Sequence, residues 1–293
     1  MVEVKEKHFG IIGYPLGHSL SPILHEFLLN KIDMKGCYHD LEVTKEKLDA
    51  VIQSMKTLGF TGFNVTIPYK QIIVSYLDEI HEEAQWIGAV NTVLINNNKL
   101  YGYNTDGIGF IQALINRNID INEKFALVLG AGGAARAVVY SLIRHGLKKL
   151  WVLNRTPNRA ELLANEVCKG TGFQNIVVGK LSRNIQRNAV ESLEILINTT
   201  PLGMWPAVEA TPISLDIISP DLTVIDLVYN PAETKFLKAA RSAGANTMGG
   251  LEMLIFQGVE AMNIWTSMRI PIENFFNELK SKLTQKLKDY GKH

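Results

Sequence analysis

The chain has 293 residues, of which 46% are hydrophobic and 20% are charged, and its formal net charge is +1 at pH 7. This is the composition of an ordinary globular protein with enough apolar material for its cores, and the length suggests about two domains. A balanced charge gives no global attraction to nucleic acid or to an anionic membrane. We therefore expect neither as a partner.

The cysteines and histidines predict neither a disulfide framework nor a metal site. Cys37 and Cys168 are the only cysteines in the sequence, too few for a disulfide framework or a cysteine-rich metal cluster. Metal-ligand spacing is also missing around the histidines His18, His25, His39 and His81. No apolar run has the length of a signal peptide core or a membrane helix. We expect a cytoplasmic protein without a bound metal.

The N-terminal part alternates short strands with helices. Apolar runs predict strands at 8–13, 37–43 and 62–67, and helical periodicity predicts helices at 45–58 and 72–80. Ser21 is a suitable N-cap and Pro22 suits the first position of another helix. The segments 89–96 and 99–104, joined through asparagines, predict a hairpin.

The middle of the chain repeats strand and helix, which predicts a doubly wound parallel sheet of Rossmann type. A helix is predicted from Asp106 to about Arg117, and strands are predicted at 125–129, 150–153, 175–178, 195–198 and 223–226. Residues from about 251 onward read as helical. We therefore predict an α/β protein in which a discontinuous domain, 1–106 and 250–293, contains a mostly parallel sheet and residues 107–249 form a dinucleotide-binding domain.

A glycine-rich turn lies between the strand at 125–129 and the next helix. Gly130 permits a tight turn, Gly132 lets the backbone approach a pyrophosphate, and Ala135 stands where a third glycine is usual. Free N–H groups at the helix N-terminus attract phosphate. The sequence predicts dinucleotide binding by the turn residues Gly130, Ala131, Gly132, Gly133 and Ala134.

The end of the following strand indicates which dinucleotide is bound. NAD sites place an acidic residue about 20 residues past the glycines, and this chain has none there. It has Asn154, Arg155, Thr156 and then Arg159. A guanidinium can pair with a 2′-phosphate, which favours NADP over NAD, whereas the alternative is that Arg155 is a solvated residue at a strand end.

Polar stretches follow or precede the strands of the N-terminal domain. They are GHSLSP at 17–22, NVTIPYK at 64–70, GAVNT at 88–92 and GYNTDG at 102–107. Ligands in open α/β sheets bind at the carboxyl ends of strands. The bland alternatives are a surface lysine for Lys70, a helix N-cap for Asp106, and turn and cap residues for Ser19 and Ser21.

With the later stretches GAGGAARA, NRT, INTTPLGM, DLVYNP and GGLEMLIFQG, these occur in one order along nearly the whole chain. In this order the chain resembles the shikimate dehydrogenase family. The resemblance implies a discontinuous substrate domain, a Rossmann domain and the reversible reduction of 3-dehydroshikimate to shikimate with NADPH. That reaction is a step towards chorismate and the aromatic amino acids.

The resemblance also implies roles for individual residues. Lys70 would be catalytic and Asp106 its carboxylate partner, and Ser19 and Ser21 would hold the substrate carboxylate with Tyr229. Ring hydroxyls would be bound by Thr66, Asn91 and Gln257. Besides the glycine turn, the implied cofactor contacts are Asn154, Arg155, Thr156, Arg159, Leu227, Gly250 and, with least support, Glu82.

The residue types agree with this chemistry but leave alternatives open. A lysine takes a hydroxyl proton only in its neutral form, which burial favours and a nearby carboxylate opposes. The anionic substrate group gains from the helix N-terminus at Ser21, by about 0.3–1 kcal/mol. A quinate/shikimate dehydrogenase using NAD and a non-catalytic NADP-sensing protein remain the alternatives. Monomer and homodimer are both open.

Overall fold

Short apolar runs form the strands of this fold. The helices form where apolar residues recur with helical periodicity or where residues such as Pro22 favour a helix N-terminus. The computed structural model describes residues 6–17, 19–182 and 192–290. The strands are β1 (Lys7–Gly13), β2 (Gly36–Glu42), β3 (Phe60–Val65), β4 (Glu79–Ile80), β5 (Thr92–Asn96), β6 (Lys99–Tyr103), β7 (Phe125–Leu129), β8 (Lys149–Asn154), β9 (Ile176–Lys180), β10 (Ile195–Asn198), β11 (Thr223–Asp226) and β12 (Asn246–Gly249). The α-helices are α1 (Ser21–Lys31), α2 (Leu48–Thr57), α3 (Glu82–Ile87), α4 (Asp106–Asn116), α5 (Gly133–Arg144), α6 (Pro157–Thr171), α7 (Lys235–Ser242), α8 (Leu251–Thr266) and α9 (Phe276–Tyr290).

The chain divides into two compact units, each built from two segments. The first unit contains Met1–Gly109 and Ile255–Leu283, and the second contains Phe110–Leu254 and Thr284–His293. Helices α4, α8 and α9 each begin in one unit and end in the other. None of the helices in the described ranges combines the length and the apolar character that crossing a membrane requires.

The sheet of the first unit has the strand order β2-β1-β3-β5-β6-β4. Strand β1 is parallel to β2 and β3, and β4 is parallel to β6, whereas β5 is antiparallel to both β3 and β6. Because β5 runs the other way, its start lies at the same end of the sheet as the carboxyl ends of β3 and β6. The segments after β3, before β5 and after β6 therefore meet at that end, which we call the carboxyl edge of the sheet.

The second unit has the doubly wound sheet that the sequence predicts. Its strand order is β12-β11-β10-β7-β8-β9, and each neighbouring pair in that order is parallel. The order reverses at β7, the first strand of this unit. The loop after β7 thus lies at the topological switch point where such folds bind dinucleotides. The predicted α/β class is confirmed.

Two glycines let helices pack directly on the first unit's framework. A Cβ at Gly62 would lie 2.2 Å from Nε1 of Trp265, whose indole donates a 2.9 Å hydrogen bond to the Val93 carbonyl. A Cβ at Gly109 would lie 2.7 Å from Cβ of Gln257. These contacts fix α8 against β3 and bring Gln257 close to the start of α4.

Some predicted elements were wrong, and for the segment at 72–80 a local contact explains why. The predicted helix at 72–80 is a 3₁₀ turn, Ile72–Tyr76, followed by strand β4. The chain can lie against β6 because Gly102 leaves room for Leu77, whose Cδ1 would be 2.3 Å from an added Cβ. The first turn of the predicted helix at 45–58 is likewise a 3₁₀ turn, and α3 and β12 were not predicted.

Ser21 does not cap its helix. Leu20 occupies the N-cap position and Ser21 is the first helical residue. The role of the cap passes to Ser19, whose Oγ accepts a 3.2 Å hydrogen bond from the Ser21 backbone N–H. Ser21 remains at the N-terminal end of α1, where unpaired N–H groups face outward from the helix.

One histidine is fully buried in the core of the first unit. His25, on α1, is stacked on Tyr38 with ring centroids 4.3 Å apart and 8° between the planes, and it also contacts Trp265. Burial lowers the pKa of His25 from 6.5 to about 3, because the charged ring cannot be solvated there. His25 is therefore neutral in the folded protein at pH 7.

We predict that His25 makes the protein acid-sensitive. Its pKa is lower in the folded chain than in the unfolded chain, so the unfolded state takes up the proton first and stability falls as pH drops below 6.5. Between pH 6.5 and pH 5 this amounts to roughly 2 kcal/mol. The His25→Phe variant keeps an aromatic ring and should lose that part of the slope.

The measurement is the free energy of unfolding by urea at pH 7, 6 and 5 for both proteins. Any packing cost of the larger Phe ring is independent of pH and cancels from the difference between slopes. Equal slopes for the wild type and His25→Phe would show that His25 is protonated without cost in the fold.

Candidate active site

A lysine and a carboxylate meet at the edge where β3 and β6 end and β5 begins. Lys70 Nζ lies 2.5 Å from Oδ2 of Asp106. The Lys70 side chain is only 16% exposed and that of Asp106 only 6%. A charge-assisted hydrogen bond at this distance orients both groups. The structure thus brings together the two residues predicted to be catalytic.

Asn91 links Asp106 to its surroundings. Its Nδ2 donates to Oδ1 of Asp106 at 2.9 Å and to Oγ1 of Thr105 at 3.0 Å, and it lies 3.3 Å from Oε1 of Gln257. Its Oδ1 accepts a 2.7 Å hydrogen bond from the Thr105 backbone N–H. Because Asn91 holds Oδ1 of Asp106, the other carboxylate oxygen is left for Lys70.

Tyr69 anchors the loop that carries Lys70. The Tyr69 ring is almost completely buried, and its hydroxyl donates a 2.6 Å hydrogen bond to the Val43 carbonyl. The Lys70 carbonyl accepts a 2.7 Å hydrogen bond from the Val90 backbone N–H. Both the neighbouring side chain and the Lys70 backbone are therefore anchored, and the contact with Asp106 orients the Lys70 side chain itself.

A second layer of polar residues, which the sequence analysis did not select, supports Asn91. The Asn64 amide donates to the Asn91 carbonyl at 3.2 Å and to Oγ1 of Thr92 at 3.1 Å, and it accepts from the Tyr38 hydroxyl at 2.7 Å. Asn104 Oδ1 accepts from the Asp106 backbone N–H. The signal in the sequence was a polar residue within an otherwise apolar strand, because such a residue needs partners when buried.

The other predicted substrate residues are placed separately. Thr66 lies beside Gly13, where an added Cβ would be 2.4 Å from its Cγ2, and Ser19 and Ser21 follow in the loop after β1 and the first turn of α1. Among the described residues, neither serine forms a hydrogen bond to the Lys70–Asp106 pair. Tyr229 lies in the second unit, in the loop after β11.

The glycine turn of the second unit fits a dinucleotide phosphate. Gly130 has a positive φ of 114°, and an added Cβ would lie 2.5 Å from Oγ1 of Thr199. Gly132 is the N-cap of α5 and makes no side-chain cap, and a Cβ there would have no atom within 4 Å. The backbone of Gly133 and Ala134 then opens the helix. Its first N–H groups thus border open space, as a pyrophosphate site requires.

The end of β8 lies next to this turn, since the Gly130 N–H donates to the Leu153 carbonyl at 2.8 Å. Asn154 Nδ2 donates to the Thr156 carbonyl at 2.9 Å and shapes the loop that carries Arg155 and Arg159. Both arginines are exposed. Within residues 6–17, 19–182 and 192–290, neither guanidinium forms an ion pair. They are suited to an added phosphate, and the residues present therefore fit NADP.

Leu227 and Gly250 form a close backbone contact at the ends of β11 and β12. A Cβ at Gly250 would lie 2.1 Å from the Leu227 carbonyl oxygen, so only glycine fits at this position. Glu82, the remaining predicted cofactor residue, is the first residue of α3 in the first unit.

Asp226, which precedes Leu227, was not selected from the sequence although it organises this loop. Its carboxylate accepts hydrogen bonds from Asn198 Nδ2 at 2.9 Å, the Val228 N–H at 3.1 Å and Thr234 Oγ1 at 2.7 Å. Burial raises the pKa of Asp226 to about 6, against these hydrogen bonds, which lower it. The carboxylate is still ionised at pH 7.

Family models match both parts of the chain. Residues 11–93 match the shikimate dehydrogenase substrate binding domain, and residues 113–201 match the shikimate / quinate 5-dehydrogenase model. The shikimate dehydrogenase (NADP⁺) of Clostridium beijerinckii is 43% identical over 279 residues, which cover 95% of this chain and 96% of that protein. This chain belongs to the shikimate dehydrogenase family.

Solved structures agree with that membership. A crystal structure of a shikimate dehydrogenase in complex with NADP⁺ superposes with a TM-score of 0.88 at 38% identity and covers 98% of each chain. A quinate dehydrogenase from Corynebacterium glutamicum in complex with NAD has a TM-score of 0.84 at 31% identity, covering 97% of this chain and 99% of that one. The fold therefore hosts both substrates and both cofactors.

We predict that Arg155 selects NADPH over NADH. In the Arg155→Ala variant, kcat/KM with NADPH should fall roughly 10- to 100-fold, since a hydrogen bond to a charged group contributes about 1.5–3 kcal/mol. The value with NADH should change little, because NADH has no 2′-phosphate. The measurement is initial rates at 340 nm with each cofactor.

The matched control is Arg144→Ala, which removes an exposed arginine at the opposite end of α5. It should leave both cofactor values unchanged. A wild-type enzyme that already prefers NADH would contradict the role of Arg155.

Proposed function

We propose that this chain catalyses the reversible NADPH-dependent reduction of 3-dehydroshikimate to shikimate, a step towards chorismate and the aromatic amino acids. The observation that carries the proposal is the largely buried Lys70–Asp106 pair, held by Asn91 at the carboxyl edge of a shikimate dehydrogenase substrate domain. We further propose that it works in the cytoplasm as a monomer or homodimer.

Lys70 handles the proton in this proposal. When bound, NADPH supplies the hydride that reduces the C3 carbonyl carbon of the substrate. The Lys70 ammonium donates a proton to the carbonyl oxygen as negative charge develops there, and solvent then reprotonates the amine. In the reverse direction neutral Lys70 takes the hydroxyl proton. Its ion pair with Asp106 keeps Nζ in one position, which general acid–base catalysis needs.

Asp106 and Asn91 divide the positioning work. Asp106 orients Lys70 through Oδ2. Its carboxylate can also accept a hydrogen bond from a substrate hydroxyl beside the lysine. Asn91 is 2% exposed, and the two shortest contacts of its Nδ2 go to Asp106 and Thr105. We assign Asn91 to holding Asp106 as well as to binding a ring hydroxyl, and we assign Gln257, whose Oε1 lies 3.3 Å from Asn91 Nδ2, to a ring hydroxyl beside it.

The substrate carboxylate is assigned to Ser19 and Ser21. Ser21 is the first residue of α1, Pro22 follows it, and the first turn contains no acidic residue. The positive end of the helix dipole therefore favours an anion there. Thr66 lies in the neighbouring loop and is assigned to a ring hydroxyl. The family resemblance assigns Tyr229 to substrate binding as well.

On the cofactor side, the turn from Gly130 to Ala134 is assigned to the pyrophosphate and Arg155 to the 2′-phosphate. Asn154, Thr156 and Arg159 complete the binding of the adenosine end. Leu227 and Gly250, whose backbones are in close contact, are assigned to the nicotinamide end. Glu82 is the weakest of these assignments, because it rests on the family resemblance alone.

We predict that Lys70→Ala lowers kcat by about 10²- to 10⁴-fold, the range typical for the loss of a general acid–base group. Lys70→Met, which keeps the length and loses the charge, should bind shikimate but not oxidise it. Turnover is measured at 340 nm with shikimate and NADP, and binding is measured by calorimetry.

Lys99→Ala is the control, since Lys99 is an exposed lysine of the same sheet paired with Glu79. It should keep the wild-type kcat. A Lys70→Ala enzyme with near-normal kcat would exclude the proton-transfer role, and a wild type that binds NADP without turnover would support the sensor alternative instead.

We predict that shikimate with NADP is the preferred pair among the combinations of shikimate or quinate with NADP or NAD. Quinate carries an additional hydroxyl on the carbon that bears the carboxylate, so the assigned pair Ser19 and Ser21 would have to accommodate it, and the strand end at Asn154–Thr156 has no acidic residue for NAD. The measurement is kcat/KM for all combinations. A higher value for quinate with NAD would place this chain with the quinate dehydrogenases.

A further inference from the structure

Three metal-ligating side chains meet in the first unit, away from the residues discussed so far. Cys37 Sγ lies 3.2 Å from His8 Nδ1 and 3.1 Å from His39 Nε2, and the two ring nitrogens are 3.4 Å apart. All three side chains are partly exposed. We call them the His8–Cys37–His39 cluster.

The register of the sheet creates this cluster. His8 of β1 is directly paired with Cys37 of β2 in a parallel arrangement, which places both side chains on one face. His39 follows Cys37 by two residues and so lies on that face as well. Phe60 packs against both imidazoles, with ring centroids 5.9 Å from His8 and 5.5 Å from His39. The ligand atoms are thus held by two strands and an aromatic support.

Hydrogen bonds alone do not satisfy this arrangement well. A ring nitrogen either donates or accepts a proton, so three mutual contacts require one proton to be shared between two acceptors. A cation between the three atoms would instead satisfy every lone pair at once.

We propose that the His8–Cys37–His39 cluster binds a zinc-type divalent ion, which departs from the expectation of no metal drawn from the sequence. Tetrahedral zinc with Zn–S of about 2.3 Å and Zn–N of about 2.05 Å requires separations of about 3.3 Å between nitrogens and about 3.5 Å between sulfur and nitrogen. The observed separations differ from these by a few tenths of an ångström. Two imidazoles and a thiolate are ligands that such ions prefer.

The surrounding charge supports a cation. Two carboxylates, Glu6 and Glu26, interact electrostatically with the Cys37 sulfur, and nearby negative charge favours a bound cation. Because the cluster is partly exposed, water can take the fourth coordination position. No residue spacing predicts this site, since His8 lies 29 residues before Cys37 and only the strand pairing brings them together.

The site is separate from the catalytic edge. His8 lies near the start of β1, whereas the loop that carries Ser19 follows its end at Gly13. Five residues of parallel strand span about 17 Å. Strand β2 is at the edge of its sheet, so the ion would pin this strand to β1 and stabilise the fold without touching Lys70.

The experiment uses untagged full-length protein, because tag histidines bind metal, after removal of bound ions with EDTA and dialysis. Zn²⁺ is titrated by calorimetry, and Co²⁺ is added in parallel to detect the thiolate-to-cobalt absorption band in the near ultraviolet. We expect one Zn²⁺ per chain, a cobalt–thiolate band, and a higher Tm with Zn²⁺. The wild-type activity with shikimate should be the same with and without the ion.

The variants are Cys37→Ser, His8→Gln and His39→Gln. Each should weaken Zn²⁺ binding by at least roughly 10- to 100-fold, since even indirect partners of metal ligands contribute that much. Cys37→Ser should also abolish the cobalt–thiolate band and the rise in Tm. Matched controls are Cys168→Ser in the second unit and His81→Gln, which should bind as the wild type does.

The kcat of each variant without metal reports whether it is folded, and the cobalt spectrum of the wild type does not depend on any variant. The proposal is overturned by the absence of saturable Zn²⁺ binding in the wild type. It is equally overturned by binding that persists in Cys37→Ser or in both histidine variants. Loss of binding confined to the three cluster variants supports it.

Discussion

The chemistry of the first unit depends on one buried amide. Asn91 donates to Oδ1 of Asp106 and accepts from the Thr105 backbone, and Asp106 in turn holds Lys70. Asn91 directly precedes β5. Because β5 is antiparallel to its neighbours, Asn91 lies at the carboxyl edge, where β3 and β6 end. Removing one partner of such a buried network would leave the others unsatisfied, at a cost of about 1–3 kcal/mol for each group.

The second unit uses the same device at the corresponding edge. Asp226 ends β11 and accepts from Asn198, the Val228 backbone and Thr234. Thr234 in turn caps α7 by accepting from the Leu237 N–H. The loop that carries Leu227 and Tyr229 is therefore tied at both ends. Loops at carboxyl edges are irregular, so buried side chains rather than ladder hydrogen bonds must hold them.

Much of the fold follows from local patterns. Strands β10 and β11 were predicted with their observed bounds because each is a short apolar run closed by a polar residue. The hairpin of β5 and β6 was predicted because Asn97 and Asn98 tolerate the positive φ angles, 48° and 62°, that its turn needs. The short strands β4 and β12 were missed, since pairing with β6 and β11 defines them and no local pattern does.

The sequence predicted the central residues of the candidate site but not the residues that support them. Lys70 and Asp106 lie in motifs that resemble a known family, and the structure brings them together. The supporting residues Asn64 and Asp226 were not selected, because a single polar residue in a strand has meaning only once its burial is known. The His8–Cys37–His39 cluster needed more still, since it depends on which residues face each other across two strands. The charge of the residue that holds each carboxylate also matters. Because Asn91 is neutral, Lys70 remains the cationic partner of Asp106. A carboxylate in place of Asn91 would compete with Asp106 for Lys70. The neutral donors around Asp226 hold its carboxylate in place, and through it the loop after β11.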